Sequence, residues 1–338
     1  MRALVARPGG GLEVDEVPRP EPGPGEVRLR VDACGICGSD LHLQGAGLYL
    51  PGLVPGHEFA GVVDDVGAGV TDFAPGDAVA VEPFRSCGRC RECREGRDPC
   101  CPEAQLLGVH LPGGLAEYVV APARRLYRAP ADLPPAVAAL AEPAAVAVHG
   151  LTRLGPEPPE RLLVLGAGSI GLLTLLAARA AGVPEVWITA RHDHQAALAR
   201  DLGAKRVLRE AEAGAAALAD LEPFDAAVET VGGRAATLPD AAAAVRPGGV
   251  VSVVGFFMGA VSLDALPLML KELTLAWSYC YHRGGARADF AAALELLDAR
   301  RQDAARIATH AVPLAEAPRA YALAADKTAG VVKVSVLP

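Results

Sequence analysis

The sequence predicts an α/β fold with two domains, one rich in β-strands and one built on a doubly wound parallel sheet. Its length of 338 residues suffices for about two domains of ~150 residues each. Residues 1 to about 130 contain short apolar runs separated by Gly/Pro turns, which is typical of β-structure. From residue 162, apolar runs alternate with helical patterns, as in the βαβ units of a parallel sheet.

The composition excludes several classes of protein. Apolar residues make up 51% of the chain and charged residues 21%, so a packed core is expected rather than disorder. The net charge is −8 and no dense Lys/Arg run occurs, which argues against a nucleic-acid or membrane-surface partner. The amino terminus lacks the apolar stretch of a secretory signal, so we expect a cytoplasmic protein. The most apolar window, residues 162–178, is better explained by a strand and a helix than by a membrane span.

In the first part of the chain, strands are predicted at residues 27–31, 60–66 and 78–81. Each is an apolar or alternating run bounded by turn-forming segments such as PEPGPGE and APGD. Around residues 136–151 the pattern becomes helical, with few helix-breaking residues.

In the second part, strands are predicted in LLVLG, EVWITA, FDAAVET and VVSVVG, with helices between them at residues 170–181, 194–202 and 235–245. Alternation of this kind implies parallel strands joined by crossover helices. The tail contains predicted helices at residues 289–300 and 316–325 and a last strand at 331–337.

A glycine motif follows the first strand of the alternating part and opens a helix. Its sequence is Gly166-Ala167-Gly168-Ser169-Ile170-Gly171, which in this context is the Rossmann dinucleotide-binding fingerprint. The first glycine makes the tight turn, the second lets the backbone approach a pyrophosphate, and the third packs the helix on the strand. The pyrophosphate then lies on the N–H groups of the helix N-terminus. We therefore predict a nicotinamide dinucleotide site at this loop.

The residues after the second strand indicate NADP rather than NAD. NAD sites place Asp or Glu there to accept from the ribose 2′-hydroxyl, whereas NADP sites use Arg for the 2′-phosphate. Here EVWIT is followed by Ala190-Arg191-His192, and Arg191 can bind a phosphate bidentately. His192, His194 or Gln195 could assist. The alternative is that Asp193 holds the ribose of NAD while Arg191 is solvated.

The chain has eight cysteines, and most of them are clustered. Clustered cysteines in a chain with no export signal indicate metal binding rather than disulfides. Cys87, Cys90, Cys93 and Cys101 have the spacing of a structural zinc site. Their loop has little apolar material, so a metal would supply its order. Cys100 could in principle replace Cys101, and free thiols on a mobile loop are the alternative.

A second set of zinc-binding residue types is spread along the chain. Cys37 lies in CGICGSDLH, His57 and Glu58 lie in PGHEFAG, and Glu142 lies in LAEPAAV. Three protein ligands with a water make a catalytic zinc site. Taken singly, each residue also has a structural explanation, such as a core histidine or a carboxylate favoured by a helix N-terminus.

Together these motifs resemble the zinc-dependent medium-chain dehydrogenases, which include alcohol, polyol and threonine dehydrogenases. CGICGSDLH, PGHEFAGVV, the four-cysteine lobe and VLGAGSIG occur in the family order, over essentially the whole chain. The resemblance implies a GroES-like catalytic domain over residues 1–145 and a Rossmann domain over 146–285. It also implies a return segment, 286–338, that completes the catalytic domain. VAVEPFRSCGRC and AEPAAVAVHG look most like the polyol and sugar branch.

The resemblance also implies two zinc ions per chain, one structural and one catalytic. Cys37 and His57 match catalytic zinc ligands. Glu58 matches an inner-sphere or exchangeable carboxylate, and Glu142 matches the carboxylate ligand of polyol-type relatives. Cys34 is then a bystander.

Three further residues receive roles from the resemblance. Ser39 matches a proton-relay hydroxyl, and Asp40 matches the carboxylate that orients the metal-binding histidine. Lys333 occupies a position where relatives often carry a basic residue near the pyrophosphate.

The function expected from this resemblance is hydride transfer between a secondary alcohol (a polyol, sugar or cyclitol) and NADP, in a homodimer or homotetramer. Zinc would lower the pKa of the alcohol, and Ser39 would pass its proton outward. The alternatives are an NAD-dependent alcohol or threonine-type dehydrogenase, a non-catalytic cofactor-binding protein and a zinc-free reductase of activated double bonds. Residues 44–55 offer no charged group for a substrate carboxylate or phosphate, which counts against an amino-acid substrate.

Overall fold

A computed structural model of the chain describes residues 1–284 and 287–338. The chain divides into two compact units, one made of Met1–Glu142 with His282–Pro338 and the other of Pro143–Tyr281. The sequence-based division placed its first boundary after residue 145. Its second boundary, between Gly285 and Ala286, lies outside the described residues.

Short strands dominate residues 1–142. The strands are β1 (Arg2–Ala6), β2 (Leu12–Glu16), β3 (Glu26–Gly35), β4 (Glu58–Val66), β5 (Ala78–Val81), β6 (Phe84–Arg85), β7 (Gln105–Leu106), β8 (Tyr118–Pro122) and β9 (Leu126–Arg128). The helices are α1 (Gly38–Gly45), α2 (Arg91–Arg94), α3 (Pro135–Ala138) and α4 (Ala141–Thr152). The predicted helix at 136–151 is therefore two helices. Pro143 is tolerated only in the first turn of a helix, so a new helix begins at Ala141.

The middle of the chain alternates strands and helices. In order they are β10 (Arg161–Leu165), α5 (Ser169–Ala180), β11 (Glu185–Thr189), α6 (Asp193–Asp201), β12 (Arg206–Leu208), α7 (Ala215–Ala219), β13 (Phe224–Glu229), α8 (Thr237–Ala244), β14 (Val245–Val253), α9 (Ala265–Leu270) and β15 (Thr274–Trp277). The sheet order is β12-β11-β10-β13-β14-β15, with every pair parallel. This is the strand order of a Rossmann sheet, and the predicted α/β fold is confirmed.

The tail returns to the first unit. It contains α10 (Asp289–Ala299), α11 (Arg301–Ile307), β16 (His310–Pro313), α12 (Ala317–Ala325) and β17 (Val334–Leu337). The last strand begins three residues later than predicted, because the N–H groups of Val332 and Lys333 donate to Thr309 Oγ1 instead of to a strand. β17 joins the larger sheet of the first unit, whose order is β16-β17-β3-β4-β5-β9 with β8 also paired to β3.

Each unit has its own apolar core. In the first unit it forms around β3, where Val27, Leu29 and Val31 are buried on one face of the strand. The apolar window 162–178 consists of β10, a turn and most of α5. Within the described residues, one helical stretch, Pro135–Thr152, is long and apolar enough to cross a membrane, and 67% of it is buried inside the fold.

Candidate active site

Three segments that are far apart in sequence meet at one end of β3. The antiparallel pairing of β3 with β4 sets Gly35 opposite Glu58, and the pairing with β17 sets Gly35 opposite Ser335. Gly35 permits this close approach, because a Cβ there would lie 2.2 Å from Glu58 Oε2. Strand register therefore brings Cys37, His57 and Lys333 to the same end of the sheet.

Cys37, His57 and Glu58 form the candidate metal site. One ligand atom from each lies within 4.8 Å of those of the other two. His57 and Glu58 are buried and Cys37 is half-buried. A thiolate, an imidazole and a carboxylate at this separation fit a zinc ion held by three protein ligands.

A buried carboxylate lies beside the histidine of this site. Asp40 Oδ1 lies 3.4 Å from His57 Nδ1, which leaves Nε2 facing the cluster, where Ser39 Oγ lies 3.5 Å away. Burial would lower the pKa of His57, but Asp40 and then Cys37 raise it well above its usual value. A more basic imidazole is a better metal ligand, and an outer carboxylate is the usual partner of a zinc histidine.

Asp40 is itself held by further donors. Its Oδ2 accepts from Cys37 N at 2.9 Å, and its Oδ1 accepts from the hydroxyl of Tyr49 at 2.6 Å. Burial would raise the pKa of Asp40, but His57, Tyr49 and the Cys37 N–H together hold it below its usual range. Asp40 is thus fixed as a carboxylate that faces the imidazole.

Lys333 lies in the first unit, beside the candidate metal site. Its Nζ donates to both carboxylate oxygens of Glu58 at 2.7 Å and to Ile36 O at 3.1 Å, and the residue is 3% exposed. These contacts place Lys333 at the metal-site end of β3, because β17 follows it directly and pairs with β3 there; a position near the cofactor pyrophosphate stays a prediction. Burial would lower the pKa of Lys333, but Glu58 and then Cys37 raise it.

Glu142 lies in the first turn of α4 and is buried. It is not part of the three-residue cluster, yet its charge also contributes to the raised pKa of Lys333. Two carboxylates, Glu58 and Glu142, therefore remain candidates for the carboxylate ligand.

The four cysteines of the predicted lobe come together as a set. The sulfur atoms of Cys87, Cys90, Cys93 and Cys101 all lie within 4.8 Å of one another. The pKa of Cys87 is lowered to about 7, mainly because the backbone N–H of Arg89 donates a hydrogen bond to its sulfur. Burial raises the pKa of Cys101, so the four thiols would not all ionise near neutral pH without a cation between them. The geometry and chemistry of this donor set fit a structural zinc ion.

A buried charge network anchors the lobe to the first unit. Arg125 is fully buried and donates to Glu82, which follows β5, and to Asp98 of the lobe. Ser86 also donates to Asp98 and accepts from Arg125. Arg125 thus balances the buried charges of Glu82 and Asp98, and it links the four-cysteine segment, residues 87–101, to the edge of the sheet.

The glycine loop connects β10 to α5 as predicted from the sequence. A Cβ on Gly171 would lie 1.8 Å from Gly166 O, so the third glycine permits the helix to pack on the strand. A Cβ on Gly168 would meet no protein atom within 4 Å, so the space above the second glycine is open. Ser169 and Ile170 begin α5, ahead of the first helical hydrogen bond from Leu172 N to Gly168 O. Open space and first-turn N–H groups fit a bound pyrophosphate.

The predicted ribose-binding residues lie at the carboxyl end of β11. Arg191 is exposed, His192 is half-buried and Gln195 is buried on α6. Asp193, the alternative ribose ligand, pairs with Arg209 at 2.8 Å.

Several residues that shape these sites are not apparent from the sequence. Tyr49 lies in a segment singled out only for its lack of charge, and nothing in its spacing indicated a contact with Asp40. Thr189 accepts from Gly166 N at 2.8 Å and so fixes the glycine turn. Arg209 directly follows β12. The rule that ligands bind at the carboxyl ends of parallel strands could have identified it, had that strand been predicted.

Comparison with known families gives two matches. Residues 23–131 match the family model described as the alcohol dehydrogenase GroES-like domain. Residues 169–299 match the one described as zinc-binding dehydrogenase. The predicted GroES-like domain and Rossmann domain are thus confirmed.

Individual proteins show the same likeness over most of the chain. The L-threonine 3-dehydrogenase of Saccharopolyspora erythraea is 38% identical over 289 residues, which is 82% of this chain and 84% of the relative. The sorbitol dehydrogenase of Arabidopsis thaliana is 34% identical over 321 residues, which is 88% of this chain and 84% of the relative. A solved structure from Sinorhizobium meliloti 1021 is described as a zinc-binding dehydrogenase bound to NADP. It is 32% identical with a TM-score of 0.89, and the match covers 100% of this chain and 99% of that one.

Proposed function

This chain belongs to the zinc-dependent medium-chain alcohol and polyol dehydrogenase family, and on that premise we propose that it transfers a hydride between a secondary alcohol and NADP. The alcohol class is a polyol, sugar or cyclitol. The observation that carries the proposal is the cluster of Cys37, His57 and Glu58, with Asp40 behind the imidazole and Ser39 beside its other nitrogen.

The residues of this site have complementary roles. A zinc ion held there would supply a Lewis acid that lowers the pKa of an alcohol hydroxyl, and a bound nicotinamide would supply the hydride acceptor. Asp40 holds the His57 ring in one orientation and tautomer. We propose that the Ser39 hydroxyl, 3.5 Å from His57 Nε2, takes the substrate proton and passes it outward. Lys333 offsets the negative charge that Cys37, Glu58 and Glu142 bring to a buried site.

NADP is supported by the residues after β11. Arg191 stands exposed where an NAD enzyme would offer a carboxylate. The similar protein from Sinorhizobium meliloti is described as bound to NADP. We propose that the glycine loop holds the pyrophosphate, and that Arg191, His192 and Gln195 surround the 2′-phosphate.

We propose two zinc ions per chain. The four-cysteine set would provide a closed site of four thiolates, and the Cys37 set would provide three ligands and leave a fourth position for a substrate oxygen.

A second candidate function is oxidation of L-threonine with NAD. It is favoured by the 38% identity to the L-threonine 3-dehydrogenase of Saccharopolyspora erythraea. Residues 44–55 bring no charged side chain that would bind a substrate carboxylate, so we place the polyol class first.

We further propose that the chain forms a homo-oligomer through the edge of the parallel sheet. β15 is the last strand of that sheet, and large apolar side chains near this edge are 58 to 72% exposed. They are Leu266, Met269, Leu270 and Trp277. A second copy presents the same edge and the same apolar surface, as a two-fold interface requires.

The test is a substrate panel with both cofactors in parallel. Sorbitol, galactitol, myo-inositol and L-threonine are each assayed with NADP and NAD, and kcat/KM is measured from nicotinamide absorbance. The proposal predicts the highest value for a polyol or cyclitol with NADP. A highest value for L-threonine with NAD would select the second candidate. The absence of turnover by zinc-replete protein on all substrates would overturn the polyol proposal.

A further inference from the structure

Arg209 occupies the carboxyl edge of the parallel sheet beside the residues proposed to read the cofactor ribose. β11 and β12 are parallel, with Thr189 opposite Leu208, and Ala190 N donates to Leu208 O at 2.9 Å. The residue after each strand therefore emerges at the same place. Arg209 is thus a neighbour of Ala190 although it is 19 positions further along the chain.

The guanidinium of Arg209 contacts three consecutive residues of the neighbouring loop. It donates to Arg191 O at 3.1 Å, to His192 O at 3.2 Å and to Asp193 Oδ1 at 2.8 Å. Its planar group thus binds two carbonyls and one carboxylate at once.

Asp193 is the single acidic residue in the segment 190–195. A free carboxylate there would accept from the 2′-hydroxyl of NAD and would repel the 2′-phosphate of NADP. The Asp193 side chain is fully exposed, so burial does not force the pairing. Arg209 nevertheless engages this carboxylate and brings a positive charge to the same edge.

We infer that Arg209 is a specificity-determining positioning residue that favours NADP over NAD by holding and neutralising Asp193. The inference rests on the proposed use of a nicotinamide dinucleotide at this loop. Arg191 contacts the 2′-phosphate in this arrangement, and Arg209 acts through Asp193 and through its own charge. Removal of Arg209 frees the carboxylate that an NAD site requires.

The experiment measures the dissociation constants of NADP and NAD by calorimetry for wild type and Arg209→Gln. The ratio of the NAD constant to the NADP constant should fall about fivefold in the variant, because a lost ion pair at an exposed site is of that order. The double variant, Asp193→Asn with Arg209→Gln, should restore most of the wild-type ratio of the two dissociation constants. Arg206→Gln is the matched control, since Arg206 begins β12, the strand that Arg209 follows, and pairs with Glu212 at 2.8 Å; it should leave the ratio unchanged.

If Arg209→Gln weakens the binding of NADP and NAD equally, the residue has a structural role only, and the inference is overturned. An unchanged ratio, or no recovery in the double variant, would overturn it as well. The NADP proposal is judged separately, from the wild-type ratio. A wild type that binds NAD more tightly contradicts that proposal, while the direction of change in Arg209→Gln still decides the role of Arg209.

Discussion

Replacement of Lys333 by methionine should strongly destabilise the unit that carries the candidate metal site. The Lys333 and Glu58 side chains are 2% and 1% exposed, and Nζ lies 2.7 Å from both carboxylate oxygens. Methionine keeps the apolar stem but leaves Glu58 buried without that positive charge. Removing one partner of a buried ion pair costs about 3–5 kcal/mol. For a domain of about 200 residues this lowers Tm by about 6–20 °C.

The assay is differential scanning calorimetry with Lys327→Met as the control. Lys327 is exposed and donates to a backbone carbonyl, Ala324 O, so its loss should change Tm by less than about 2 °C. Added zinc should recover part of the loss in Lys333→Met, because a cation beside Glu58 replaces the missing charge. Glu58→Gln in the Lys333→Met background should also recover stability, since no unpaired charge remains.

The pH dependence follows from the raised pKa of Lys333. A lysine with a raised pKa contributes stability that is complete below its ordinary value of 10.5 and is lost as pH rises through the folded value. The stabilisation that wild type gains from Lys333 should therefore persist as pH rises to about 10 and be lost only at higher pH. A loss of less than about 2 °C in Lys333→Met would refute the assignment of this ion pair as a stabilising element of the site.

Three other substitutions test the structural zinc site, the NADP-binding residue Arg191 and the Tyr49 hydroxyl. Cys93→Ser should lower the zinc content by one ion per chain and lower Tm, because a structural zinc contributes folding free energy; unchanged metal content by elemental analysis would contradict it. Arg191→Ala should weaken NADP binding about tenfold or more and leave NAD binding nearly unchanged, since it removes a charge-assisted hydrogen bond; equal effects on the two dissociation constants would contradict it. Tyr49→Phe should lower zinc affinity about tenfold, because it removes a donor to Asp40 behind His57; an unchanged affinity in chelator competition would show that Asp40 does not need this donor.

Much of the fold was predictable because it depends on local pattern. The strand at residues 78–81 and the strand–glycine–helix unit at β10 and α5 follow from apolar runs and turn residues that lie next to each other in sequence. The break between α3 and α4 could also have been predicted, because Pro143 marks a first turn. The delayed start of β17 depends instead on Thr309, a side chain 23 or more positions away, whose contact the local pattern does not encode.

The candidate sites divide in the same way. The lobe cysteines lie within 15 residues of one another, so their spacing alone indicated a site. The environment of Lys333 depends instead on the register of β17 against β3. That register brings Lys333 to Glu58, which is 275 positions away in the sequence. Arg209 and Tyr49 act through single contacts that depend on how strands and loops pack. Such contacts leave no periodic signal in the sequence, and the structure was needed to find them.

Cys37→Ala and Cys34→Ala together test the proposed catalytic metal site, with zinc per chain and NADP-dependent alcohol oxidation measured on the same preparations. Cys37 belongs to the candidate metal cluster, whereas Cys34 is fully buried three residues away and outside it. We predict two zinc ions and activity in wild type, one zinc ion and almost no turnover in Cys37→Ala, and two zinc ions with most of the activity in Cys34→Ala. Full turnover by Cys37→Ala, or loss of zinc and activity in Cys34→Ala alone, would contradict it.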